Sequence, residues 1–272
     1  MNENIIEKIE SLPPLPKTII EIEEFRQQPE KEAFELLKIV ERDALIVSTL
    51  LKVSNSAMFG FRSKVETASK AINLLGINFT ISIAIGGTVQ NLLKTNLSAY
   101  GINSDDFMRA SNLATTLTSM WLTKVSFDLK EELVLPALLQ EAGKFILADV
   151  IDSEGKTEEF KLLLSSGKTI AEAEKEVTGM TTSQITASIF KHWKLSDNLI
   201  NVIEFVDDIE KCDDKFVNST EILDVIKTVC NVTDPLSDEN IQKGIAKATR
   251  YGLEVKHLNA AIEKLQDRLL DE

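Results

Sequence analysis

Histidine is the scarcest chemistry-bearing residue in this chain. Its 272 residues carry two, His192 and His257, far apart and with no His-Asp dipeptide anywhere. Cysteine is equally rare: Cys212 and Cys230 stand alone, in no CxxC or zinc-ligand spacing, and nothing points to an oxidising compartment. Only 6 prolines and 11 glycines punctuate the sequence, which favours long helices over a turn-rich sheet protein. Basic charge is also short. Thirty Lys and Arg against 43 Asp and Glu leave a net charge of −13. That excludes a general binder of nucleic acid or anionic membrane, because neutralising phosphates takes clustered cations. Such a charge serves solubility first and a basic protein partner second. No apolar run is long enough for a bilayer span, and MNENIIEKIE lacks a basic region followed by an apolar core. A cytoplasmic protein without a signal peptide or membrane anchor is therefore expected.

What is present is helical periodicity. Hydrophobic residues make up 43% of the chain and charged residues 27%, as in ordinary globular proteins. The apolar spacing predicts helices over residues 3–10, 17–27, 30–42, 44–53, 67–75 and 79–93. Asp43 and Asn78 are expected to cap two of these, and Gly76 to stop a third. A polar connector over 94–104 is the best internal boundary. Beyond it, helices are expected from 105 to about 127, over 169–177 and 183–193, and over 196–206 with Ser196 as cap. Three more should follow, over 219–229, 238–251 and 256–270. The stretch between 152 and 168, with Gly155 and Gly167, reads as looser. Gly86 and Gly87, inside an apolar helix, suit close helix–helix approach rather than a phosphate loop. No strand is expected. The fold class is all-α, divided as a 1–95 N-terminal bundle, a 96–210 central domain and a 211–272 C-terminal extension.

Residues 133–151, LVLPALLQEAGKFILADVI, are apolar at nearly every position. As one continuous helix they put Gln140, Glu141 and Lys144 on a single narrow polar stripe facing inward or into a cleft. Glu141 and Lys144 are an i,i+3 pair, worth about 0.2–0.5 kcal/mol on an exposed helix.

Four motifs in order carry a family resemblance: Leu12-Pro13-Pro14-Leu15-Pro16, Asn55-Ser56-Ala57-Met58-Phe59-Gly60, Ala71-Ile72-Asn73-Leu74-Leu75-Gly76, and the central helix. Glu176-Val177-Thr178-Gly179 and His192-Trp193-Lys194-Leu195 support them downstream. Together they resemble the HDOD domain, a relative of the HD phosphohydrolases, over about residues 5–210. The resemblance implies an N-terminal helical bundle packed on an HD-like bundle, and a role in bacterial regulation. It also places the family's metal-ligand positions at Ala110, Gln140, Glu141, Thr182, Val206 and Asp207, none of which is histidine.

HD chemistry needs a cation that turns bound water into hydroxide and offsets phosphate charge. With imidazoles missing from every implied position, the expectation is a non-catalytic protein with no cofactor, no metal and no catalytic residues. It would act through protein–protein contact, with motility or chemotaxis as the associated response. Two alternatives stand beside this reading. The site could retain a nucleotide or phosphorylated ligand without metal. Alternatively, Glu141, Asp207 and Glu176 could hold Mg²⁺ for weak hydrolysis. The loop from Asn55 through Met58, Phe59, Gly60 and Phe61 reads either as a structural corner, with the Asn55 amide bonding free backbone groups, or as a partner surface.

Overall fold

A computed structural model describes residues 3–56, 59, 61, 63–93 and 95–270. Met58 and Gly60 lie outside the described residues. The fold is all-α, with no strand among the described residues. Among the described residues, six α-helices precede residue 95: α1 (Glu3–Glu10), α2 (Lys17–Arg26), α3 (Ala33–Val40), α4 (Ala44–Ser54), α5 (Ala68–Leu75) and α6 (Ile77–Leu92). Asp43 caps α4 as expected, accepting from the amides of Leu45 and Ile46. Helix α6 begins two residues before the expected start, at Ile77, so Asn78 lies inside it and Gly76 stands at the cap, in a positive-φ conformation that suits glycine. Gly86 and Gly87 do allow close packing. A Cβ on Gly86 would sit 2.3 Å from Leu138 Cδ2, and one on Gly87 would sit 2.8 Å from Thr49 Cγ2.

Helix α1 turns away from its neighbours in sequence and packs on the second half of the chain. It lies against two later helices, α9 (Lys144–Ser153) and α12 (Thr182–His192), with Lys8 paired to Asp149. The proline segment that follows is pinned by the Trp193 indole, whose N–H donates to Pro13 O at 3.0 Å. The expected polar connector is more than a link: Leu97, Ala99, Tyr100 and Ile102 are buried around a 3₁₀ turn at Ser98–Tyr100.

Past residue 103 the chain forms α7 (Ser104–Leu122), α8 (Phe127–Leu139), α9, α10 (Thr157–Ser165), α11 (Ile170–Thr178), α12 and α13 (Asp197–Glu204). Helices α14 (Val217–Val229), α15 (Asp238–Arg250) and α16 (Val255–Leu270) follow. The region read as loose contains α10, held by one fully buried ring, Phe160. Ser196 makes no side-chain cap; its hydroxyl accepts from Arg26 at 2.6 Å instead, tying α13 to α2.

The 133–151 stretch sits at the centre but is not one helix. It breaks over residues 140–143 between α8 and α9. Helix α8 packs on α6, α7, α13 and α14, whereas α9 packs on α1, α10, α11 and α12. The cause of the break is local. Gly143 presses against the first turn of α12, where a Cβ would fall 2.3 Å from Thr182 O and 2.8 Å from Thr186 N. The Gly143 amide then donates to the Thr186 hydroxyl at 2.8 Å, and that hydroxyl lies 3.0 Å from Gln140 O. One side chain thus satisfies groups that the interrupted helix leaves open.

Candidate functional site

The break between α8 and α9 aims Glu141 and Lys144 at the N-terminus of α12, and three further segments close around them. Helix α11 presents Glu174 from its buried face beside Ala173, Val177 and Thr178. The segment after α13 brings Asp207, and α14 brings Lys227. The 3₁₀ turn supplies Tyr100, whose ring stands edge-on to Phe160 of α10 at 5.1 Å.

These groups form one chain of alternating charge. Lys144 Nζ lies 2.6 Å from Glu141 Oε2, 3.2 Å from Glu174 Oε1 and 3.0 Å from Thr182 Oγ1. It also stands 5.1 Å from the centre of the Tyr100 ring, a cation–π distance. Lys227 Nζ lies 2.7 Å from Asp207 Oδ1 and 3.5 Å from Glu141 Oε1. Two carboxylates serve the start of α12. Glu174 accepts from the Thr182 amide at 2.6 Å and from its hydroxyl at 2.5 Å, while Asp207 accepts from the Ser183 amide and hydroxyl. Negative charge at a helix N-terminus is favoured by the exposed N–H groups there. Tyr100 donates its phenol to Glu174 at 2.9 Å.

Burial is nearly complete: Lys144 is 1% exposed and Glu174 0%. Burial pushes the Glu141 carboxyl up, but Lys144 and Lys227 outweigh it and hold it below the ordinary value. Asp207 likewise resists burial through Lys227 and Ser183 and lies well below its usual range. Burial works against the Lys227 ammonium, yet Asp207 and Glu141 raise its pKa far above the ordinary value. Burial and then the adjacent Glu174 push the Tyr100 phenol well above its usual 10.0, so near neutrality it stays protonated and donates.

Of the positions implied by the resemblance, Gln140, Glu141, Thr182 and Asp207 meet here. The Gln140 backbone carbonyl takes part through Thr186, and its side-chain Oε1 is buried without a hydrogen-bond partner among the described residues. Ala110 and Val206 are buried and apolar, adding no donor atom. Glu176 does not belong: it is exposed and paired with Lys168, and the carboxylate in the site is Glu174, two residues earlier. The Glu141–Lys144 pair forms, but in the interior rather than on an exposed helix. His192 is exposed and His257 half-buried, and neither touches the network. Lys227 and Tyr100 carried no signal of their own. Glu174 carried one, a carboxylate at an apolar-stripe position of α11.

A divalent cation of the HD type does not fit these residues. Two ammonium groups already stand within hydrogen-bond or ion-pair reach of the oxygens that would bind it. Among the described residues no three His, Cys, Asp or Glu side chains converge as metal ligands.

The Asn55 amide donates to Leu51 O and Val65 O, and its oxygen accepts from the Val65 amide at 2.8 Å, tying the end of α4 to Val65. Phe59 and Phe61 stack on each other, and Phe59 meets Phe79 edge-on.

The helical fold recurs in solved structures. A protein from Shewanella amazonensis SB2B, provisionally named a phosphohydrolase, aligns with a TM-score of 0.74 at 19% identity, covering 97% of this chain and 94% of its own. A virulence factor from Campylobacter jejuni subsp. jejuni is 26% identical, with a TM-score of 0.57 over 98% of this chain and 100% of that one. A protein from Marinobacter aquaeolei VT8, provisionally named a signal transduction protein, gives 0.73 at 21% identity, covering 97% of this chain and 58% of that chain. Among curated proteins, an uncharacterised protein of Treponema pallidum (strain Nichols) is 27% identical over 92 residues. That match spans 32% of this chain and 18% of the Treponema protein's length. The class is an all-helical, HD-like domain. The HDOD domain model matches residues 12–209, and the chain belongs to the HDOD family. No single helix among the described residues is long and apolar enough to cross a membrane.

Proposed function

We propose that this chain is a non-catalytic regulatory protein of bacterial signal transduction, acting in the cytoplasm through contact with a protein partner, in a motility or chemotaxis response. The observation that supports this reading most is the pair of lysines in the pocket. A hydrolase of the HD type needs a cation to generate hydroxide. Here Lys144 and Lys227 already pair with the carboxylates. Membership of the HDOD family and a structural neighbour named for signal transduction point the same way. Phe34 and Phe127, exposed at 64% and 66%, are where the partner contact is sought first.

The test has two arms. Purified protein is offered bis(p-nitrophenyl) phosphate with Mn²⁺, Fe²⁺ or Mg²⁺, and no turnover above the metal-only rate is expected. Metal-dependent turnover that Glu141→Gln abolishes would replace this reading with the hydrolase one. In the second arm, the protein is captured from its native cell beside Phe34→Ser and Phe127→Ser variants. A partner retained by the wild type and lost by a variant is expected.

A further inference from the structure

One hollow of this acidic protein is basic. It lies between Phe59 and Phe61, the end of α5, the start of α6, one side of α7 and one face of α16, with a volume of about 530 Å³. That falls within the roughly 300–1,000 Å³ usual for small-ligand sites. One wall is aromatic. Phe59 and Phe61 stack with centroids 5.8 Å apart, and Phe79 stands edge-on to Phe59 at 5.3 Å. The other wall is cationic. Helix α16 contributes Lys264 and Arg268, four residues apart and so on one face, and the turn after α7 contributes Lys124.

No Asp or Glu among the described residues lines this hollow, although acidic residues outnumber basic ones 43 to 30 along the chain. Lys124 and Lys264 make no ion pair or side-chain hydrogen bond with another described residue. Two exposed lysines at one cavity, Lys124 and Lys264, with no carboxylate partner among the described residues favour an anionic occupant. Phenylalanine rings beside them favour one with a flat, apolar end.

We propose that this hollow binds a small aromatic polyanion of the nucleoside polyphosphate class. Its base lies along the Phe59, Phe61 and Phe79 wall and its phosphates reach Lys124 and Lys264. The site shares no residue with the buried ion network. It joins α16, which lies beyond the family-matched stretch, to the N-terminal helices, so an occupant would fasten the two ends of the chain together. The inference stands apart from the partner-contact reading, since ligand binding is measured on the isolated protein.

The test is calorimetric titration of the full chain with ATP, GTP, adenosine and inorganic triphosphate. Saturable binding of ATP or GTP with Kd below about 1 mM is expected, with adenosine and triphosphate each at least about tenfold weaker. The Lys124→Gln/Lys264→Gln double variant should bind about tenfold more weakly or worse, at an unchanged unfolding midpoint, because both side chains are exposed. Phe61→Leu should weaken nucleotide but not triphosphate. Three results would overturn the proposal: no saturation by either nucleotide, triphosphate binding as tightly as nucleotide, or full affinity in the double lysine variant. Tighter binding of a synthetic acidic peptide with a central tryptophan would also overturn it, by assigning the groove to a protein.

Discussion

Replacing Lys144 with methionine keeps most of the side chain's bulk and deletes one ammonium from the interior. In the native protein that ammonium lies 2.6 Å from Glu141 and 3.2 Å from Glu174, and it is 1% exposed. Without it, three buried carboxylates share only Lys227. Removing one partner of a buried pair costs about 3–5 kcal/mol, a large part of the roughly 5–15 kcal/mol that keeps a domain folded. The deficit should depend on pH. Glu141 and Asp207 have lowered pKa values in the folded protein, so they contribute stability above the ordinary carboxylate pKa, and this is lost as pH falls through the lowered values. In Lys144→Met the Glu141 carboxyl has lost its nearest cation, so its folded pKa rises and it takes up a proton sooner. The gap between wild type and variant is therefore widest near pH 7 and narrows as pH falls through about 5 to 4. Urea unfolding at pH 7 and at about pH 4.5, followed by the fluorescence of Trp121 and Trp193, measures both numbers. Adding Glu141→Gln to the variant should recover part of the loss. A deficit under about 1 kcal/mol at pH 7, or one of equal size at both pH values, would show that the ammonium is solvated and that the network reasoning is wrong.

Other perturbations read other joints. Gly143→Ala forces a methyl onto the backbone of α12 and should destabilise by at least about 1–3 kcal/mol, seen as a lower urea midpoint. Thr186→Val removes the hydroxyl that answers the Gly143 amide and should cost about 1–3 kcal/mol at nearly constant volume; a neutral result would mean another group serves that amide. Burial pushes the Cys230 thiol well above its ordinary pKa, whereas Cys212 is half-buried. A thiol reagent at pH 8 should therefore modify Cys212 in native protein and reach Cys230 only on unfolding.

Helix α4 was legible because an apolar stripe met a capping residue, Asp43, whose side chain accepts amide N–H bonds at the helix start. The break at 140–143 was not, because apolar spacing reports which faces are buried and not whether the backbone ladder continues. Its real sign is Gly143, and that becomes clear only when α12 is seen lying against it. Helix α10 was missed because Phe160 alone among its residues is fully buried, leaving too weak a stripe. Within the site, Gln140, Glu141, Thr182 and Asp207, which the resemblance implied, lie together. Glu176 entered through the adjacent motif, whereas the carboxylate that reaches the network is Glu174, two residues earlier. Lys227 lay outside any motif, and a lysine acting as the pocket's resident cation has no sequence signature.

The origin of Lys227 matters for anyone wishing to borrow this domain. A fragment trimmed to 12–209, where the family model ends, would keep Glu141 and Asp207 and discard the ammonium they share. Those two acids would then keep Lys144 alone as a nearby cation. Helix α14 is thus electrically part of the fold, and a workable excision must run at least through Val229.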